Sequence, residues 1–90
     1  MVETRIMPCI CEFDGIQIYM YVPDHNPPHF HARARGREAQ IAIADASILH
    51  GALEQTDRRK VIRWADIRRT ELERNWQRIA DYLPPEEIAP

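Results

Sequence analysis

The run Asp24-His25-Asn26-Pro27-Pro28-His29-Phe30-His31 holds three of the chain's four histidines and a carboxylate within eight residues. Neutral imidazole is the commonest protein ligand for zinc, nickel, copper and non-haem iron, and a carboxylate adds an oxygen donor to such a set. His29 and His31 are two apart, so on a strand they stand side by side on one face. Asp24 and His25 precede them in a proline-rich loop. The candidate metal ligands are therefore His25, His29, His31 and Asp24, for a divalent transition metal. Neither a His-Glu-x-x-His helix nor a Cys-x-x-Cys pair accompanies them. A plainer reading stands beside this one: His25 and His29 hydrogen-bond backbone groups and fix a bent loop, while Phe30 anchors the core.

A second chemistry involves the whole strand face that carries the histidines. Tyr19, Tyr21, Arg33, Arg35 and Gln40 fall on it by alternation. Aromatics mixed with arginines form a surface for stacked bases and phosphates, so these five are the candidate ligand-binding residues for RNA or another partner. With a phosphodiester there, His29 or His31 could act as general acid or base and Arg33 could steady the developing charge; these three are the catalytic candidates. Glu12 and Glu38 share the face and weaken its attraction for phosphate. The single serine, Ser47, has no neighbouring histidine or acid in a recognisable motif, and no glycine-rich phosphate loop is present, which argues against covalent serine catalysis.

The elements that must position these residues follow from hydrophobic period. Met7, Cys9, Cys11 and Phe13 alternate, as do Ile16, Ile18, Met20 and Val22, and Asp14-Gly15 between the runs predicts a hairpin pairing Phe13 with Ile16 and Cys11 with Ile18. Ile10 then lies on the opposite face. After the Pro23 to Pro28 loop, a strand from His29 to Arg35 is expected, since Pro28 holds its predecessor extended. Gly36-Arg37 is the next turn candidate. Pairing Arg35 with Glu38 puts Phe30, Ala32, Ala34, Ala39, Ile41 and Ile43 on one face. From Thr56 onward, Val61, Trp64, Ala65, Leu72, Trp76, Ile79 and Leu83 form a helical stripe, with both tryptophans as core residues. Thr70-Glu71-Leu72-Glu73 reads as a capping box that divides the helix near Arg69, and Pro84-Pro85 ends it. The expected fold is α+β: an antiparallel meander of about four strands, with one long or two shorter C-terminal helices on its apolar face and the other face open.

Composition sets the frame. The chain has 90 residues, 44% hydrophobic and 29% charged, enough for one domain spanning residues 1–90 with a modest core. No apolar run approaches the roughly 18 residues of a membrane span and no signal-peptide pattern opens the chain, so the cytoplasm is the expected location. Cys9 and Cys11, two apart on one strand, suit neither a structural disulfide nor a zinc site and read as reduced core residues. Net charge is −2, so no global field draws the chain to nucleic acid. Eleven arginines to one lysine fits genomic base composition as well as phosphate recognition. Arg58, Arg59, Lys60 and Arg63 read as a solvated helix start, His50 as a loop residue, and Asn75 as a turn cap or a contact to the sheet edge.

The histidine run, with Met7-Pro8 and Tyr21 before it and Trp64, Glu73-Arg74-Asn75-Trp76 and Pro84-Pro85 after it, resembles the bacterial family catalogued as domain of unknown function 4160. The resemblance covers nearly the whole chain. It implies a small bacterial protein in a family whose members are sometimes described as toxin–antitoxin-like, and it supplies no catalytic residue. Three functions are carried forward: a regulatory or interaction module that binds a partner protein or RNA through its open face, a metalloprotein or hydrolase built on His25, His29 and His31, and a purely structural module. The same open face could join two copies in a homodimer.

Overall fold

A computed structural model describes residues 9–90. The expectations for Met7 and Pro8 lie outside those residues. Five antiparallel strands, β1 (Cys9–Phe13), β2 (Ile16–Tyr19), β3 (His29–Ala34), β4 (Arg37–Ala42) and β5 (Ile48–Gly51), form one sheet in sequential order. Two helices follow, α1 (Gln55–Ile67) and α2 (Arg69–Ala80). The fold is α+β.

Asp14 and Gly15 both have positive φ, 52° and 76°, and Phe13 faces Ile16 as the Asp-Gly hairpin demands. Arg35 and Gly36 repeat this geometry at 52° and 75°, so they, and not Gly36-Arg37, make the second turn. Ala34 then pairs with Arg37 and Arg33 with Glu38, a shift of two residues from the expected register. A two-residue shift preserves faces. Phe30, Ala32, Ala34, Ala39, Ile41 and Ile43 accordingly all enter the core, none more than 4% exposed.

Two bulges break the alternation. Cys9 pairs with Tyr19 but Cys11 with Ile18, so one extra residue sits in β1. Ile10 thereby turns into the core and Cys9 outward, the reverse of the alternating reading. Between β4 and β5 the extra residue is Leu49, and His50, read as a loop residue, is a strand residue opposite Gln40. Gly51 ends that strand at φ +78°, where a Cβ would collide with the Glu38 carbonyl oxygen. Gly51→Ala should therefore destabilise the fold by about 1–3 kcal/mol, measured as a lower denaturation midpoint. An unchanged midpoint would contradict this reading of the turn.

The helices lie on the apolar face. Val61, Trp64, Ala65, Leu72, Trp76 and Ile79 join the strand residues in one core, with the Trp64 ring 5.8 Å from both Phe13 and Phe30. The helix divides at Arg68, but Thr70 lies inside α2 and no side chain caps its start, so the capping box does not form. The end of α2 comes before Pro84. Tyr82 takes a left-handed φ of 59°, its N–H donates to the Ile79 carbonyl, and the Leu83 N–H donates to that of Arg78. This paired pattern closes helices in general. Leu83 falls beyond the stripe and is 45% exposed.

Residues 84–90 run back past the helices to β1. Asn75, 2% exposed, clamps the backbone of Glu86 from both sides: its Nδ2 donates to the carbonyl at 2.9 Å and its Oδ1 accepts the N–H at 2.8 Å. The Trp64 indole N–H donates to the Ala89 carbonyl at 2.8 Å, and the Ile88 N–H donates to the Ile10 carbonyl of β1 at 2.8 Å.

Candidate metal centre

Alternation along β3 sends Phe30 to the helices and His29 and His31 to the opposite face. That face is not open at this end. The segment linking β2 to β3 folds over it, leaving His29 2% and His31 5% exposed. Tyr21 lies against His31, with ring centroids 4.3 Å apart. Trp76 lies against His29 at 5.4 Å, a second contact for a residue read only as core.

Asp24 closes the cluster from the loop. Its Oδ2 lies 3.1 Å from His29 Nε2 and 3.4 Å from His31 Nε2. One ligand atom from each of Asp24, His29 and His31 lies within 4.8 Å of the other two. His25 is outside this group: it is exposed, and its Nδ1 lies 3.3 Å from the Asn26 carbonyl oxygen. Of the four expected ligands, three converge.

The proton positions matter. A carbonyl oxygen only accepts, so the 2.7 Å contact between His29 Nδ1 and the Pro27 oxygen places a proton on Nδ1. In the neutral ring, Nε2 then carries a lone pair that faces the Asp24 carboxylate, and no hydrogen bond satisfies it. Two electron-rich atoms at 3.1 Å repel unless a positive charge, a proton or a cation, sits with them. His31 poses the same question at its other nitrogen: Nδ1 is buried, 3.4 Å from Glu38 Oε2, with no aligned hydrogen bond.

Burial pushes the His31 imidazole below its ordinary range, while the hydrogen bond it donates to Asp24 pulls the other way and His29 adds to the depression. A histidine whose folded pKa is depressed takes up more protons when unfolded, so stability rises with pH through the titration window. The contribution is present above the unfolded value of about 6.5 and fades as pH falls below it. In chelator, the melting temperature should drop between pH 7 and pH 5, and His31→Gln should flatten that slope. An equal slope in the variant would refute the assignment.

The wider ligand-binding set divides. Tyr19, His31, Gln40 and His50 form one row across four strands, and Gln17, Arg33 and Glu38 form the next. Arg33 lies 5.1 Å over the Tyr19 ring and pairs with Glu38 at 3.2 Å, which raises its pKa further. Arg35 leaves this surface. Placed in the turn, it pairs with Asp57 of α1 at 3.0 Å, where Asp57 is 1% exposed. The turn at Arg35 and Gly36, both at positive φ, takes Arg35 off the strand surface and sets Glu38 opposite Arg33.

Cys9 and Cys11 are free thiols, and burial raises the pKa of Cys11. Among the described residues, no helix is long and apolar enough to cross a membrane.

No curated protein and no solved structure matches the chain. Residues 15–77, which span β2 through most of α2 and include the whole Asp24, His29 and His31 cluster, match the family model described as a domain of unknown function (DUF4160), and the chain belongs to that family.

Proposed function

We propose that this protein binds one divalent transition-metal ion through Asp24, His29 and His31. The observation that carries the reading is the convergence of Asp24 Oδ2 with the two Nε2 atoms at 3.1 and 3.4 Å. Ligands about 2.1 Å from a metal stand about 3.0 to 3.4 Å apart in octahedral or tetrahedral geometry, so the spacing suits an ion at their centre. The Pro27 carbonyl supplies the outer contact that metal-binding histidines usually make through their second nitrogen. Two imidazoles and one carboxylate leave coordination positions for water or substrate, the donor set of zinc hydrolases and non-haem iron sites. An ion held by Asp24, His29 and His31 would supply Lewis-acid activation for a hydrolytic reaction.

Protein purified without an affinity tag should bind about one equivalent of zinc, iron(II) or nickel, measured by elemental analysis and calorimetric titration. Failure to retain or bind any of them would overturn the reading and leave Asp24 and the histidines as a polar clasp that ties the loop to β3.

A second reading is favoured by the exposed Arg33 guanidinium stacked on Tyr19. It makes the chain a small cytoplasmic bacterial regulator, toxin–antitoxin-like, that docks a partner protein or RNA on Tyr19, Arg33 and Gln40. The pairing of Arg33 with Glu38 weakens it, because an incoming phosphate must displace a carboxylate. RNA binding that weakens steeply with salt would support it over the metal reading.

A further inference from the structure

On the helical side of the sheet, a groove of about 470 Å³ lies between the tip of the β1–β2 hairpin and the outer face of α1. Phe13, Trp64 and Ile67 supply its apolar surface, and Ile67 is 67% exposed. Thr56, Arg59, Lys60, Arg63 and Ile67 recur at helical spacing, so they share one face of α1. Among side chains, the lining holds four cations, Arg59, Lys60, Arg63 and Arg68, against one carboxylate, Asp14. This local excess stands out in a chain whose net charge is −2.

Two of the cations are already engaged. Lys60 pairs with Asp14 at 3.3 Å and so ties the hairpin tip to α1, while Arg68 donates to the Pro90 carbonyl at 3.1 Å. Arg59 and Arg63, one helical turn apart, are exposed and have no carboxylate partner among the described residues. Two free guanidinium forks therefore stand beside an exposed apolar surface. Guanidinium groups bind carboxylate and phosphate bidentately, and pockets of about 300–1,000 Å³ are the size that small ligands occupy.

We propose that this groove binds an amphipathic anion: an apolar chain or ring laid against Phe13 and Ile67, with a single carboxylate or phosphate head held by Arg59 and Arg63. The site is separate from the histidine cluster and does not depend on a metal there.

The test is a two-dimensional NMR titration of the full chain with sodium decanoate, decyl phosphate and decyltrimethylammonium, each below its micellar concentration. The two anions should give saturable shifts at Phe13, Ile67 and the Trp64 indole, and the tighter of them identifies the preferred head. The cation should give none at those positions. Arg59→Glu with Arg63→Glu should weaken anion binding at least tenfold with the spectrum otherwise preserved, and Arg59→Gln with Arg63→Gln should weaken it less. Equal responses to anion and cation, shifts that never saturate, or undiminished affinity in both double variants would overturn the proposal.

Discussion

Phe30→Ala should cost about 3–5 kcal/mol, the range for deleting a buried phenylalanine, against a total stability of about 5–15 kcal/mol for a domain of this kind. Phe30 is fully buried and packs edge-on against Trp64 at 5.8 Å, near the start of β3, the central strand of the sheet. Its same-face neighbour Ala32 is too small to reach into the space it would leave, and Ile41 opposite is held in register by the ladder, so the cavity should persist. Chemical denaturation will read the loss as a lower midpoint with little change in slope. A loss below about 1 kcal/mol would mean that the core collapses around the gap, contrary to the close packing described.

His29→Gln combined with His31→Gln should have the opposite profile. Glutamine keeps bulk and polarity but offers no imidazole. Loss of an outer contact to a metal ligand typically costs about 10–100-fold in affinity, so removing two of three ligands should weaken binding beyond about a thousandfold. The fold should suffer much less, because the variant also removes two buried nitrogens that lack hydrogen-bond partners, His29 Nε2 and His31 Nδ1. Calorimetric titration with zinc, beside a melting curve in chelator, separates the two effects. Retained affinity in the double variant would place the metal elsewhere. Adjacent residues of one motif thus face opposite ways: Phe30 packs between the sheet and the helices, and its neighbours meet Asp24.

Much of this division was legible in the sequence. The alternation of β3, the Asp14-Gly15 hairpin and the helical stripe follow from short-range rules, and a register error of two residues left every face intact. Features that depend on a single inserted residue were not legible. The bulge in β1 exchanges Cys9 for Ile10, and nothing in an alternating run announces where one extra residue will fall. The site shows the same boundary. His29 and His31 could be set side by side from period alone, but which of Asp24 and His25 joins them depends on the path of a proline-bent loop. Trp76 reaches His29 because α2 turns at Arg68, a long-range consequence that helical period cannot express.

The bond from Ile88 to the Ile10 carbonyl has a consequence for association between molecules. An outer strand with free backbone groups is a template on which another chain can add, and β1 is such a strand by its place in the sheet. The returning segment occupies that template, held by Asn75 at Glu86 and by Trp64 at Ala89. A buried asparagine on the second helix thereby guards the first strand against sticking to its own kind. The contacts that cover this strand are made about 50 to 80 residues along the chain from it.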